Sequence, residues 1–301
     1  MLSNAKKIAL AAVLILAFVI LSKFSPGFGE DSKAHIESAN TQISQLPIEA
    51  VGLEFGDVIK QSLSGNRALG DSKTAQIGIT SHHLPTASGL ISRFYKTIEA
   101  SGSPHKTFVV VGPDHYEHCN TAVSTTKRPY YTPYGTLVAN QGLIDDLIQN
   151  AAVTEVDSCF DGEHSIGVQS MYIKLLYKDS TIVPIIYSSS ASEEAVAKVA
   201  QVLSKHKDEI TVVVSVDFSH YESVELANQL DSESGNMIKS LDGAGLTLHH
   251  MDSPASIRTA IALAKMWGLK PVMLEHLNSF DVTAHPENTT GYWNIIFTEN
   301  Q

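Results

Sequence analysis

Apolar and polar positions follow two rhythms along this chain. Short apolar, β-branched runs have no polar face and predict buried strands: "AQIGIT" (75–80), "TFVVVG" (107–112), "TIVPIIY" (181–187) and "ITVVVSV" (210–216). Between them apolar residues recur every third or fourth position. In "ASGLISRFYKTIEAS" (87–101), Leu90, Ile91, Phe94, Tyr95 and Ile98 fall on one helical face. Helices are likewise predicted over 140–152, 165–178, 192–206, 224–241 and 253–268, and "PVMLEHLN" (271–278) and "YWNIIFTE" (292–299) close the chain as strands. This alternation predicts an α/β fold: a single domain with a mixed, mostly buried β-sheet flanked by helices on both faces.

The pattern changes upstream. Residues 24–73 are polar, with scattered Gly, Ser and Asn, no sustained period and at most a short helix near 35–45. They read as a linker to a folded body spanning 74–301. Before them, "MLSNAKKIALAAVLILAFVILSK" sets Lys6 and Lys7 ahead of an unbroken apolar run from Ile8 to Leu21. The run is shorter than the about 20 residues a full membrane span needs, so 1–23 reads as a signal peptide or, with the residues to about 24, as a signal anchor. Lysines on its N-terminal side predict a single-pass cell-membrane protein, held in the membrane by residues 8–24 with its C-terminal domain exported, or a secreted one.

Composition narrows the function classes. In 301 residues, 43% are hydrophobic, enough for a sizeable core. The net charge is -11, and no dense Lys/Arg run follows the N-terminus, so the basic footprint of a nucleic-acid binder is missing. Cys119 and Cys159 form no CxxC motif. They are two free thiols or a single bridge, and spacing does not decide which.

The thirteen histidines carry meaning only where they cluster. Three predicted strands end in the same chemistry: "QIGITSHH" at His82 and His83, "FVVVGPDHYEH" at Asp114, His115 and His118, and "VVVSVDFSHY" at Asp217 and His220. A fourth cluster, "DGEHS", sets Asp161, Glu163 and His164 just before a helix. In open α/β sheets, sites form where strands end at their carboxyl edge, so these groups converge if the strands are neighbours. Convergent imidazoles and carboxylates suit Fe, Zn, Mn or Cu. Each cluster also has a plain reading, His83 and His118 as exposed loop residues and Asp114 and Asp217 as caps of loops or helices.

Five motifs in order give the chain a resemblance to the Memo family, also called AmmeMemoRadiSam system protein B: "SHHLPTASG", "VVGPDHYEH", "YYTPYGTL", "EHSIGVQ" and "VSVDFSHY". The resemblance covers residues 74 to 299. It implies a fold similar to class III extradiol dioxygenases, which hold non-haem Fe(II) at the matching place. It implies that His82 and His115 are metal-site histidines, that His220 is a catalytic or ligand position, that Asp217 is the aspartate of its motif, and that His164 is the helix-start histidine beside the pocket. The chain also departs from the pattern. The residues around the first histidine are Ser81, His83, Leu84 and Pro85, which leaves open whether His82 or His83 is the ligand. Gly167 replaces a glutamate, and Asp252 replaces a cysteine that is a candidate metal ligand. Asp252 would complete two histidines and one carboxylate, a set suited to Fe(II). In "DSPASI" it could equally cap a helix that begins at Pro254.

The function expected from these residues is a Memo-like protein with a mononuclear, His-rich metal site. Metal ligands would be His82, His115 and Asp252, with Fe(II) favoured and Cu or Zn as alternatives. His220 would act as general acid/base, oriented by Asp217, with His164 alongside, in redox or dioxygenase-like chemistry on a small-molecule or peptide substrate. The alternatives are a metal-binding or interaction protein without turnover, and a metal-assisted hydrolase. No GxSxG motif is present to suggest a serine hydrolase.

Overall fold

β-branched side chains pack well on a pleated surface, and the runs read as strands build the centre of the computed structural model, which describes residues 46–70, 74–102 and 106–299. β1 (Ile48–Glu49) and α1 (Gly56–Gly65) come first. β2 (Ala75–Thr80), α2 (Ser88–Ala100) and β3 (Thr107–Pro113) follow, and then the short strands β4 (Val123–Thr125), β5 (Tyr130–Thr132) and β6 (Gly135–Leu137). Next are α3 (Gln141–Asn150), β7 (Thr154–Glu155), α4 (His164–Leu176), β8 (Thr181–Tyr187), α5 (Glu193–Leu203), β9 (Ile210–Ser215) and α6 (Val224–Lys239). The chain closes with α7 (Pro254–Trp267), β10 (Leu269–Asn278), α8 (Ser279–Thr283) and β11 (Gly291–Glu299).

The main sheet has the order β10-β11-β2-β9-β3-β8-β4-β7. Its middle is parallel: β2 pairs with β9, β9 with β3, and β3 with β8. Antiparallel pairs flank it on both sides, β10 with β11 and β11 with β2, and β8 with β4. The mixed α/β sheet flanked by helices is therefore present. Successive strand residues face opposite layers. Val109 and Val111 of β3 pack with α3, α5 and α7, whereas Phe108 and Val110 pack with α2 and α4 on the other face. The predicted apolar stripe of α2 is buried throughout, with Ile91, Phe94, Tyr95 and Ile98 each 0% exposed.

The linker expectation needs correction over 47–70. β1 pairs in parallel with β5 in a small second sheet, β1-β5-β6, and Ile59 and Leu63 bury one side of α1. The Ser62 hydroxyl of α1 donates to the Ser88 carbonyl at the start of α2 (2.9 Å). A two-residue strand and a helix with a glycine in its first position have too little pattern to stand out in polar surroundings, and the tertiary partners make them. Gly167 explains why this segment fits. A Cβ there would lie 2.7 Å from the Val51 backbone nitrogen, so the glycine lets the 50–52 backbone lie directly on α4.

The membrane expectation is also corrected. Among the described residues no helix is long and apolar enough to cross a membrane. Residues 1–45, including the 1–23 apolar segment and the helix expected near 35–45, lie outside the described residues. The free-thiol reading gives way as well: Cys119 and Cys159 are joined in a disulfide, with Cα atoms 5.3 Å apart. It ties the loop after β3 to the 3-10 turn Asp157–Phe160 that precedes α4.

Two outcomes follow from these contacts. Reducing the disulfide, which bridges a sequence separation of 40, is expected to lower stability by about 2–4 kcal/mol, read from urea unfolding with and without dithiothreitol. Gly167→Glu should cost about 1–3 kcal/mol or more because its side chain overlaps the Val51 backbone. An unchanged unfolding midpoint would show that the 48–52 segment moves aside freely.

Candidate metal centre

Parallel pairing brings the ends of β2, β9 and β3 together. Thr80 lies opposite Ser215, and Val214 opposite Val111, so the three chains leave the sheet nearly level. The next residues carry the chemistry: Ser81 and His82 after β2, Asp217 and His220 after β9, Asp114 and His115 after β3. The loop before α7 adds Asp252, and the start of α4 adds His164. His82, His115, His164, Asp217, His220 and Asp252 all line one cavity of about 650 Å³.

Buried polar groups set the imidazoles. The Ser215 hydroxyl donates to the Ser165 carbonyl (2.6 Å), and its oxygen accepts from the Gln169 side-chain amide (2.9 Å). The hydroxyl proton being used, Ser215 can only accept from His82 Nδ1 (3.2 Å). His82 therefore carries its proton on Nδ1 and presents Nε2 to the carboxylates, 3.2 Å from Asp252 Oδ2 and 3.7 Å from Asp217 Oδ2. His115 is held the same way. Glu163 accepts from the His115 backbone N–H (3.1 Å) and from Nδ1 (2.8 Å), which leaves His115 Nε2 3.7 Å from Asp252 Oδ2. Glu163 is 1% exposed and also caps α4, accepting the Ser165 N–H at 2.8 Å. Imidazoles whose far nitrogen is bound by a carboxylate or hydroxyl are oriented as metal ligands are.

The charges reinforce each other. Burial disfavours protonated His115, but the neighbouring Asp252 and Glu163 carboxylates outweigh it and raise its pKa to about 10. Burial likewise opposes charge on His82, yet Asp217 and Asp252 raise its pKa. Burial would raise Asp252 too, and the adjacent His115 and His82 imidazoles instead hold it well below the usual carboxylate range. His164 goes the other way. Burial and the neighbouring His82 and His115 lower its pKa to about 4, which keeps it neutral. Its ring stacks on His115 with centroids 4.0 Å apart.

Two sets of donors lie close enough to share an ion, His82–His115–His164 and His82–Asp217–Asp252; within each, the ligand atoms lie within 4.8 Å of one another. Asp252 Oδ1 is buried and has no hydrogen-bond partner among the described residues. An orphaned carboxylate oxygen beside two oriented imidazoles is the donor chemistry that suits a divalent cation.

Several sequence expectations meet a definite placement here. The cap of α7 is Ser253, which accepts from the Ser256 N–H, and not Asp252. Asp252 Oδ2 accepts from the Asp217 N–H (3.2 Å) and faces the imidazoles. His82 joins the cluster, whereas His83 turns to the Tyr292 phenol (2.7 Å). Asp217 has other partners than the His220 expected for it: its Oδ1 accepts from the Ser81 hydroxyl and the His82 N–H, so it fixes the loop that carries His82. His118 is exposed and stacks on Tyr116. Sequence reasoning gave no role to Glu163, Ser215 or Gln169. For Glu163 a signal existed, an acidic residue directly before a helical run beside a histidine. Ser215 and Gln169 carry no local signal.

The Memo-like protein family model matches residues 53–296. The chain belongs to the Memo family. A MEMO1 family protein of Pyrobaculum aerophilum is 28% identical over 274 residues, covering 87% of this chain and 95% of the relative. MEMO1 family proteins of Sulfurisphaera tokodaii and Thermoplasma volcanium are each 28% identical, over 67% and 73% of this chain and 75% and 84% of theirs. The Memo match starts at residue 53, in agreement with a folded body that includes α1.

Glu163→Gln keeps a cap and an acceptor but removes the charge behind His115. It should weaken Zn(II) or Fe(II) binding by about 10–100-fold with little change in circular dichroism, measured by competition with a chromophoric chelator.

Proposed function

We propose that this Memo-family chain binds a single divalent metal through His82, His115 and Asp252, and that Fe(II) is the metal it uses for redox chemistry on a substrate held in the cavity. The unpartnered, buried Asp252 Oδ1 carries this reading, because the carboxylate otherwise meets only the two imidazoles and the Asp217 N–H. Two histidines and one carboxylate leave several positions open and are the donor set typical of non-haem Fe(II). When bound, the ion would supply one-electron redox chemistry at those open positions. His164, neutral and beside His115, is placed to accept a proton from a substrate. His220 faces the same cavity from the β9 loop and serves as the second acid/base. Glu163, Ser215 and Gln169 hold the two ligand imidazoles in one tautomer and orientation.

The test is metal analysis of the purified chain and its variants, followed by oxygen consumption. His115→Ala, Asp252→Ala and Asp252→Asn should each lose most of the metal while the fold persists. His164→Ala should keep it. Metal loss in His164→Ala with retention in Asp252→Ala would assign the ion to the three imidazoles instead. Zinc with hydrolytic turnover would replace the redox reading with metal-assisted hydrolysis.

A further inference from the structure

His83 follows His82 in the chain but belongs to neither set of clustered donors among the described residues. It lines the same cavity on the side of β11. Its backbone N–H donates to the Ser81 hydroxyl oxygen (3.0 Å), and its Nδ1 lies 2.7 Å from the Tyr292 phenol oxygen. Tyr292 is 0% exposed. Burial pushes its phenol well above the usual range, so the oxygen keeps its proton. Among the described residues, His83 Nδ1 is the one hydrogen-bond contact of that phenol. A buried hydroxyl with a single partner donates to it, since otherwise its proton is left unsatisfied, so Tyr292 donates to His83 Nδ1. A neutral imidazole that accepts at Nδ1 carries its proton on Nε2, and no protein group among the described residues bonds His83 Nε2.

The cavity's charge decides what that donor meets. Asp217 and Asp252 line it, and none of its lining residues is Lys or Arg. These two carboxylates, with Glu163 just behind His115, outnumber the two positive charges that either a divalent ion or the protonated His82–His115 pair brings. Phosphates and other multiply charged anions are therefore disfavoured, while a neutral acceptor is not. Val51, Phe55, Leu84, Val168 and the exposed rim residue Leu248 give the same cavity its apolar surface. We propose that His83 is a substrate-positioning residue whose Nε2–H, fixed by Tyr292, holds the carbonyl oxygen of a neutral, partly apolar ligand such as an amide. This names the substrate class of the metal site proposed above, and it rests on that reading only for the reaction, since the donor exists without the ion.

The test uses the full-length chain, metal-free and zinc-loaded, with two probes of one shape, benzamide and benzoate, titrated by NMR. Benzamide should bind the metal-free chain more tightly than benzoate. His83→Leu should weaken benzamide about five- to tenfold, the size of one lost hydrogen bond, and Tyr292→Phe should weaken it by a smaller factor. His83→Gln, whose amide N–H reaches the position of Nε2, should bind like the unmodified chain. Long-range nitrogen–proton spectra should show His83 as the Nε2–H tautomer. Metal content should be the same in His83→Leu as in the unmodified chain. The proposal is overturned by no benzamide binding, by equal or stronger benzoate binding to the metal-free chain, by unchanged benzamide binding in His83→Leu, by an Nδ1–H tautomer, or by loss of metal in His83→Leu, which would make His83 a ligand. A chain that takes up no metal but passes the metal-free arms removes the metal reading and leaves this one standing.

Discussion

Three parallel strands that end side by side leave a row of backbone groups at one edge, with no further strand to pair with. In this molecule β2, β9 and β3 end nearly level, and side chains continue the hydrogen bonding past the sheet. Gln169 reaches from α4 to the Ser81 carbonyl and the Ser215 hydroxyl, Ser215 reaches the Ser165 carbonyl, and Asp217 takes the Ser81 hydroxyl and the His82 N–H. The contacts that satisfy the edge are the same ones that aim His82, and Glu163 at the start of α4 aims His115. Orientation of the site is thus a by-product of closing the sheet. Gly112 belongs to this arrangement, since a Cβ there would lie 2.6 Å from the Ser165 hydroxyl and push the start of α4 away.

The cluster gathers more charge than a folding core would choose. Asp217, Asp252 and Glu163 are withdrawn from water beside imidazoles, and each buried ion carries a desolvation penalty that pairing only partly offsets. The local shifts point in opposite directions, with His115 driven to hold a proton and His164 driven to lose one although their rings stack. Opposed shifts of neighbouring groups in one cavity are the electrostatic pattern that functional sites share.

The cavity also depends on a part of the chain that looks unremarkable by itself. Val51 and Phe55, from the segment between β1 and α1, form part of its apolar wall. That wall lies on α4 only because residue 167 is glycine. The helix face at Gly167 admits a backbone segment, so the polar and apolar faces of the cavity come from distant parts of the sequence.

The apolar runs of β2, β3, β8 and β9 and the 3.6-residue stripes of the main helices were legible from the sequence, because burial on both faces or on one stripe leaves a local signature. So were the strand-end histidines and aspartates, since residue type and position at a strand end are local too. The elements of 48–65 were not, because their apolar residues are few and their stability comes from β5 and α2. Pairing of Cys119 with Cys159 needed two loops brought together in space. Strand order decided that His82, His115 and Asp252 meet, and the partner of each second ring nitrogen decided which way they point. Ser253 took the cap that Asp252 might have filled, since the chain turns the Asp252 carboxylate toward β9. Glu163, Ser215, Gln169 and Tyr292 act through hydrogen bonds across 46 to 209 positions of sequence, and contacts of that reach exist only in the folded chain.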